Sequence, residues 1–324
     1  MSTRLPPFVI AVILTALVAN GLSSACTRPS TEAPPTAIPG VPNEVTAPST
    51  QEPGPRPTSD QAVPTEVPAA NVIKDVPYLA PLQDSAKERA LDIYAPALQV
   101  GELPGLRPVI VFAHGYNQGK AALATVSRAL AERGAVVFAP SWRTDPSTAA
   151  SWREMTESLA CAVRTARTMA PDYQGDPDNV TLVGFSMGGS VGAIVALNGE
   201  DVDGLWSAYA DDHGGPPAQV RCLNADVPAE IQAFVGIGGA YTLPDRFKAE
   251  DADLYSLLTS HSTSTDLRIA LLHGEFDSTV PPIVSEDFRQ QLIAAGYNPA
   301  LASYDSGHTI PRDATVDTVF SREQ

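Results

Sequence analysis

The stretch Val180-Thr181-Leu182-Val183-Gly184-Phe185-Ser186-Met187-Gly188-Gly189-Ser190-Val191 decides how the chain is read. Val180–Val183 is short, apolar and largely β-branched, which predicts a buried strand. Val191–Leu197 (VGAIVAL) is a helix-forming run. Between them stands G-x-S-x-G, a serine in a tight strand-to-helix turn. Such a turn needs small residues around the serine, so that strand and helix approach closely and the hydroxyl stays exposed. The helix N-terminus that follows offers backbone N–H groups, Met187 first, to a developing oxyanion.

The same alternation extends outward. Ala90–Ala95, Val109–Ala113, Val136–Ala139, Ala233–Gly238, Ile269–His273 and Leu301–Tyr304 read as further strands with Val180–Gly184. Helical patterns lie between most of them, at Ala121–Glu132, Ser151–Ala170, Met187–Leu197 and Ile283–Ala295. Strands alternating with helices predict a mostly parallel central sheet with helices on both faces. Asn198–Ala229 breaks the rhythm with Gly, Asp and Pro. It reads as an excursion over the top of the sheet that helps to wall a pocket.

Gly184-Phe185-Ser186-Met187-Gly188-Gly189 resembles the α/β-hydrolase superfamily, within it the dienelactone-hydrolase-like and cutinase- or polyester-hydrolase-like serine esterases. The resemblance covers nearly all of residues 71–324. Dienelactone hydrolases proper carry a cysteine nucleophile; serine at 186 points to ordinary ester chemistry. A serine hydroxyl needs a base within hydrogen-bond reach. The superfamily order is serine, acid, histidine. His308, in Asp305-Ser306-Gly307-His308 after the last strand, is the histidine downstream of the acid. The pattern H-G-x-x-D-x-x-V-P is met by His273-Gly274-Glu275-Phe276-Asp277-Ser278-Thr279-Val280-Pro281, so the resemblance implies Asp277 as the acid. Glu275 is its rival, off the pattern. His273 reads as a brace at a strand end, and His213 and His261 as loop residues.

A tetrahedral oxyanion needs two donors. The resemblance implies Met187 N–H and, from the loop His114-Gly115-Tyr116-Asn117, Tyr116 N–H, with His114 as a support. Phe185 and Trp142 are candidates for the substrate pocket, as is the Tyr116 ring; Trp142 could equally be core. Other motifs fail. Gly115–Lys120 is one residue short of a phosphate-binding loop, and Gly236-Ile237-Gly238-Gly239 lacks the last glycine of a dinucleotide fingerprint. No H-E-x-x-H or C-x-x-C occurs, so no metal and no cofactor are expected.

The N-terminal part has a different character. Residues 1–26 carry Arg4, the apolar run Phe8–Ala19 and small residues beyond, the pattern of an export signal. The alternative is a membrane anchor, for which the run is short. Leu22-Ser23-Ser24-Ala25-Cys26 resembles a bacterial lipobox, which implies lipidation at Cys26; without it, cleavage near Ala25 gives a secreted protein. Residues 27–70 hold 11 of the chain's 30 prolines and no aromatic. Such a segment cannot bury enough apolar surface to offset chain entropy and reads as a disordered tether. Residues 71–324 form the catalytic domain. Cys161 and Cys222 remain: in an exported protein they are either a disulfide or two separate buried thiols.

The net charge of −16 argues against nucleic-acid binding. Contact with a membrane is expected through the lipid anchor alone. The combined expectation is a serine carboxylic-ester hydrolase, exported and surface-tethered, monomeric by default, acting on a small-molecule or polymeric ester. Peptidase, thioesterase or acyltransferase chemistry on the same triad, or a non-catalytic binding module, are the alternatives.

Overall fold

The computed structural model describes residues 69–80, 89–97, 105–199, 201–213, 220–241 and 266–321. The expected signal at 1–26, Cys26, nearly all of the tether at 27–70, and His261 lie outside them.

Eight strands form one sheet: β1 (Asn71–Pro77), β2 (Ala90–Ala95), β3 (Arg107–Ala113), β4 (Val136–Pro140), β5 (Gly175–Phe185), β6 (Ala233–Ile237), β7 (Arg268–Gly274) and β8 (Ala300–Tyr304). Their spatial order is β1-β2-β4-β3-β5-β6-β7-β8. Only β2 runs against its neighbours; β3 through β8 pair in parallel. In register, Val109 faces Val136 on one side and Val180 on the other, and Val183 faces Val235. This is the mostly parallel sheet that the alternation predicts, in the α/β-hydrolase arrangement that the resemblance implies.

The central strands are buried along both faces, and successive residues divide between two cores. Val109, Val111, Phe138, Leu182 and Phe234 point to one. Ile110, Phe112, Val137, Val183 and Val235 point to the other. The period of two assigns the faces. Helices α1 (Ala124–Glu132) and α6 (Arg312–Phe320) cover the second core. Helices α2 (Ala149–Met169), α3 (Met187–Asn198), α4 (Val202–His213) and α5 (Ile283–Ala294) cover the first. Helix α3 is buried around nearly its whole circumference, as expected of a helix apolar on every side. Thr148 caps α2 by accepting the Ser151 N–H at 3.1 Å, an interaction worth about 1 kcal/mol.

The excursion departs from its expected place. It contains α4, whose Trp206 is buried, and it packs against α2 and α3 on the flank of the domain rather than over the sheet. Its return is fastened at Cys222. The residue makes an antiparallel bridge with Leu79, and the structure joins it to Cys161 of α2 in a disulfide with Cα atoms 5.1 Å apart. Strand β1 and helix α6 were not expected. β1 (NVIKDVP) is half exposed, with the polar pair Lys74-Asp75 breaking any alternation, and α6 (RDATVDTVF) has no amphipathic stripe.

Candidate active site

The C-terminal ends of β3, β5, β7 and β8 bring four loops together. Ser186 stands between β5 and α3 with φ 53° and ψ −119°, a left-handed backbone that costs a non-glycine residue of order 1–3 kcal/mol. The surroundings hold it there. Its N–H donates to Ile237 O at 2.8 Å, and its carbonyl accepts from Gly189 N–H at 2.8 Å and Ser190 N–H at 3.1 Å. The glycines of the turn are sterically required. A Cβ on Gly184 would stand 2.2 Å from Gly188 O, and one on Gly188 would stand 2.5 Å from Ala113 O.

His308 and Asp277 meet this serine. His308 Nε2 lies 2.9 Å from Ser186 Oγ, and His308 Nδ1 lies 2.6 Å from Asp277 Oδ2. The three residues span 122 positions of sequence between serine and histidine. The Asp277 side chain is fully buried. Its Oδ1 accepts the N–H groups of Thr279 and Val280, each at 2.9 Å, which leaves Oδ2 for the imidazole. Glu275, the rival carboxylate, is exposed. His273 is buried, with Nε2 donating to Val280 O at 2.9 Å and Nδ1 accepting from Ser285 Oγ at 2.6 Å. It braces the turn that carries Asp277. Tyr304 braces the other side: its hydroxyl donates to Thr309 O at 2.8 Å, and burial pushes the phenol up to about 12.

The loop after β3 abuts the serine. A Cβ on Gly115 would stand 3.1 Å from Ser186 Cβ, so the Gly115–Tyr116 backbone and Met187 flank Ser186 from two sides. Gly115 N–H donates to Gln118 Oε1 at 3.0 Å, and Asn117 N–H to Thr144 Oγ1 at 3.0 Å. His114 lies beneath. It is fully buried, and its Nε2 accepts Trp142 N–H at 3.3 Å. The proton is therefore on Nδ1, which donates to Gly115 O at 2.9 Å. Burial lowers its pKa to about 4, so His114 is a neutral strut at physiological pH. The far end of the loop is held by charge. Lys120 reaches Asp92 Oδ1 and Asp75 Oδ1, both at 2.5 Å. Asp92 is 1 % exposed and also takes Lys74 at 2.7 Å. Burial pushes its carboxyl up, but the bonds from Lys120, Lys74 and the Asp75 N–H outweigh this and hold it below the usual range.

The two pocket candidates fall differently. Phe185 is 4 % exposed with its ring 4.9 Å from the His308 ring. It backs the imidazole rather than walling an open cleft. Trp142 is 2 % exposed and stacks on His114 at 5.1 Å. It belongs to the core, its ring supports the loop from behind, and it also borders the pocket between the loops after β3 and β4. Tyr116 is 44 % exposed. Gln118 and Ser285 take part in the site without any signal in the sequence, because each acts through a neighbour brought in by the fold. His213 is the last residue of α4. Among the described residues no group of His, Cys, Asp and Glu is arranged to hold a metal ion.

Three comparisons place the chain among known proteins. Over 251 residues it is 27 % identical to a probable isoprenylcysteine alpha-carbonyl methylesterase of Oryza sativa subsp. japonica, covering 66 % of this chain and 52 % of that protein. The chain thus spans about half the length of this curated relative. Among solved structures, a truncated carbohydrate esterase from gut microbiota superposes with a TM-score of 0.55 at 19 % identity, covering 79 % of this chain and 97 % of that one. Thermogutta terrifontis esterase 2, phosphoramylated by tabun, gives 0.55 at 18 % identity, covering 79 % and 94 %. At these identities the likeness is one of fold. Residues 110–319 match the profile of the alpha/beta hydrolase family from within β3 to the end of α6, and the chain belongs to that family.

Proposed function

We propose that the protein is a serine hydrolase of carboxylic esters. One observation carries this reading: Ser186 Oγ, His308 and Asp277 stand in hydrogen-bonded series at 2.9 and 2.6 Å. Ser186 attacks the ester carbonyl while His308 Nε2 takes its proton. Asp277 fixes the imidazole with Nδ1–H inward and stabilises the imidazolium. The N–H groups of Met187 and Tyr116 hold the oxyanion, each such donor being worth about 3–4 kcal/mol in the transition state. His308 returns the proton to the leaving alcohol, and water then releases the acyl group by the same steps in reverse.

The motif G-F-S-M-G-G favours a dienelactone-hydrolase- or cutinase-like esterase, and the esterase names of the structural neighbours agree with ester chemistry. Residues 1–26 and 27–70 suggest export, lipidation at Cys26 and a tether that holds the domain off the membrane. The test is hydrolysis of short p-nitrophenyl esters and labelling by a fluorophosphonate, comparing the full chain with Ser186→Ala. Both activities disappear in the variant if the reading holds. A folded wild-type protein showing neither overturns it.

A further inference from the structure

Beside the proposed nucleophile, the loops after β3 and β4 border an open cavity of about 490 Å³, within the size range of small-molecule sites. Its lining is unlike the apolar wall that an acyl chain requires. Tyr116, Asn117, Gln118, Arg143, Thr144 and Asp145 all contribute, with Ser141 and an edge of Trp142 between them. Tyr116 and Gln118 belong to the loop whose Gly115 abuts Ser186, so a group held in the cavity is attached close to the reacting carbonyl.

The chemistry of this lining selects among ligands. Gln118 Oε1 is taken by Gly115 N–H, which leaves the amide NH2 as a donor. Thr144 Oγ1 accepts Asn117 N–H, which leaves its O–H as a donor. Asn117 offers both senses. Arg143 is the one cation of the lining, and it is already shared by Asp145 at 3.2 Å and Glu154 at 3.7 Å. An anionic group would meet a neutralised guanidinium beside two carboxylates. A simple hydrocarbon would bury these polar groups without partners, each losing its hydrogen bond to water. A neutral polyol satisfies both constraints, because each hydroxyl donates and accepts. The exposed Tyr116 ring offers an apolar face to the C–H side of a sugar ring.

We propose that this cavity is the subsite for the alcohol part of the substrate, and that the alcohol is a neutral polyhydroxylated ring. The proposal rests on the ester-hydrolase reading above. The full chain is given 6-O-acetylglucose and cyclohexylmethyl acetate, a matched ester without hydroxyls, and acetate release is measured. The expected kcat/KM is at least tenfold higher on the sugar ester, chiefly through KM. Asn117→Gly, which keeps the left-handed backbone at φ 54° accessible, and Arg143→Leu are each expected to move that ratio several-fold toward one. A ratio of one or less in the wild type overturns the proposal, as does a ratio that neither variant changes. Faster turnover of a choline ester than of the sugar ester overturns it too, since the two carboxylates would then be the recognising groups. No acetate release from any ester, with no fluorophosphonate labelling, instead overturns the hydrolase reading and this proposal with it.

Discussion

Replacing Asp277 by Asn reverses the proton on His308, and the surroundings of the carboxylate dictate how. Oδ1 accepts two backbone N–H groups, from Thr279 and Val280 at 2.9 Å each. An asparagine at this place must put its carbonyl oxygen there, because turning its NH2 toward two donors would lose both bonds. The NH2 then faces His308 Nδ1 across the 2.6 Å now spanned by an N–H···O bond. Two donors cannot share that line, so the imidazole shifts its proton to Nε2, which faces Ser186 Oγ. A protonated Nε2 cannot accept the serine proton. The variant should therefore keep its fold and lose kcat by about 10³–10⁴-fold, the effect of a mis-set tautomer in a triad, equivalent to about 4–5.5 kcal/mol of barrier. The assay is steady-state hydrolysis of p-nitrophenyl acetate across pH 5–10, with circular dichroism as the control for folding. Glu275→Gln, exposed and two residues away, serves as the comparison and should stay within about twofold of wild type. An Asp277→Asn enzyme within tenfold of wild type, or an equal loss in Glu275→Gln, would refute the assignment of the acid.

Three further outcomes follow from other parts of the structure. His114 has an ordinary pKa of 6.5 when unfolded and about 4 when folded, so the unfolded chain binds the proton first. Its contribution to stability is full above pH 6.5 and falls by about 3 kcal/mol as the pH drops to 4, and denaturant titrations of His114→Gln should show a shallower acid limb. The disulfide closes a loop of 61 residues, worth about 4 kcal/mol in the chain-entropy account; Cys161→Ala/Cys222→Ala should lower the urea midpoint accordingly while kcat stays near wild type, because the bond lies on the flank. Asp92→Asn replaces the buried carboxylate shared by Lys120 and Lys74 with a neutral amide; Lys74 faces water and Lys120 keeps Asp75, so the loss should be about 1–3 kcal/mol, which thermal unfolding would report as a fall in Tm of a few degrees.

The sheet was largely legible because its central strands obey one simple rule: buried on both faces, they are short, apolar and branched. β1 escaped the rule because it is an edge strand with Lys74 and Asp75 facing water and a bulge between Ile73 and Val76. The excursion misled through its Gly and Asp content; Trp206 is the residue that pins α4 to the core, and one aromatic in a polar stretch is a weak signal. The series Ser186, Asp277, His308 was readable because each follows a strand within a fixed local motif. Trp142 was ambiguous for a physical reason. A tryptophan at a strand exit sees both core and cleft, and only the His114 ring beneath it decides. Gln118 left no trace at all, since its role is one hydrogen bond to a backbone three residues back.

The distance of 122 residues between Ser186 and His308 sets a condition on when the protein is dangerous to its maker. His308 follows β8, an edge strand and the last in chain order among the described strands, and α6 beyond it packs on α1. A nascent chain can complete the serine turn and still lack its base. On the proposed reading, His308 can serve Ser186 only once the segment after β8 is in place. A product that ends before β8 would carry the serine motif without His308.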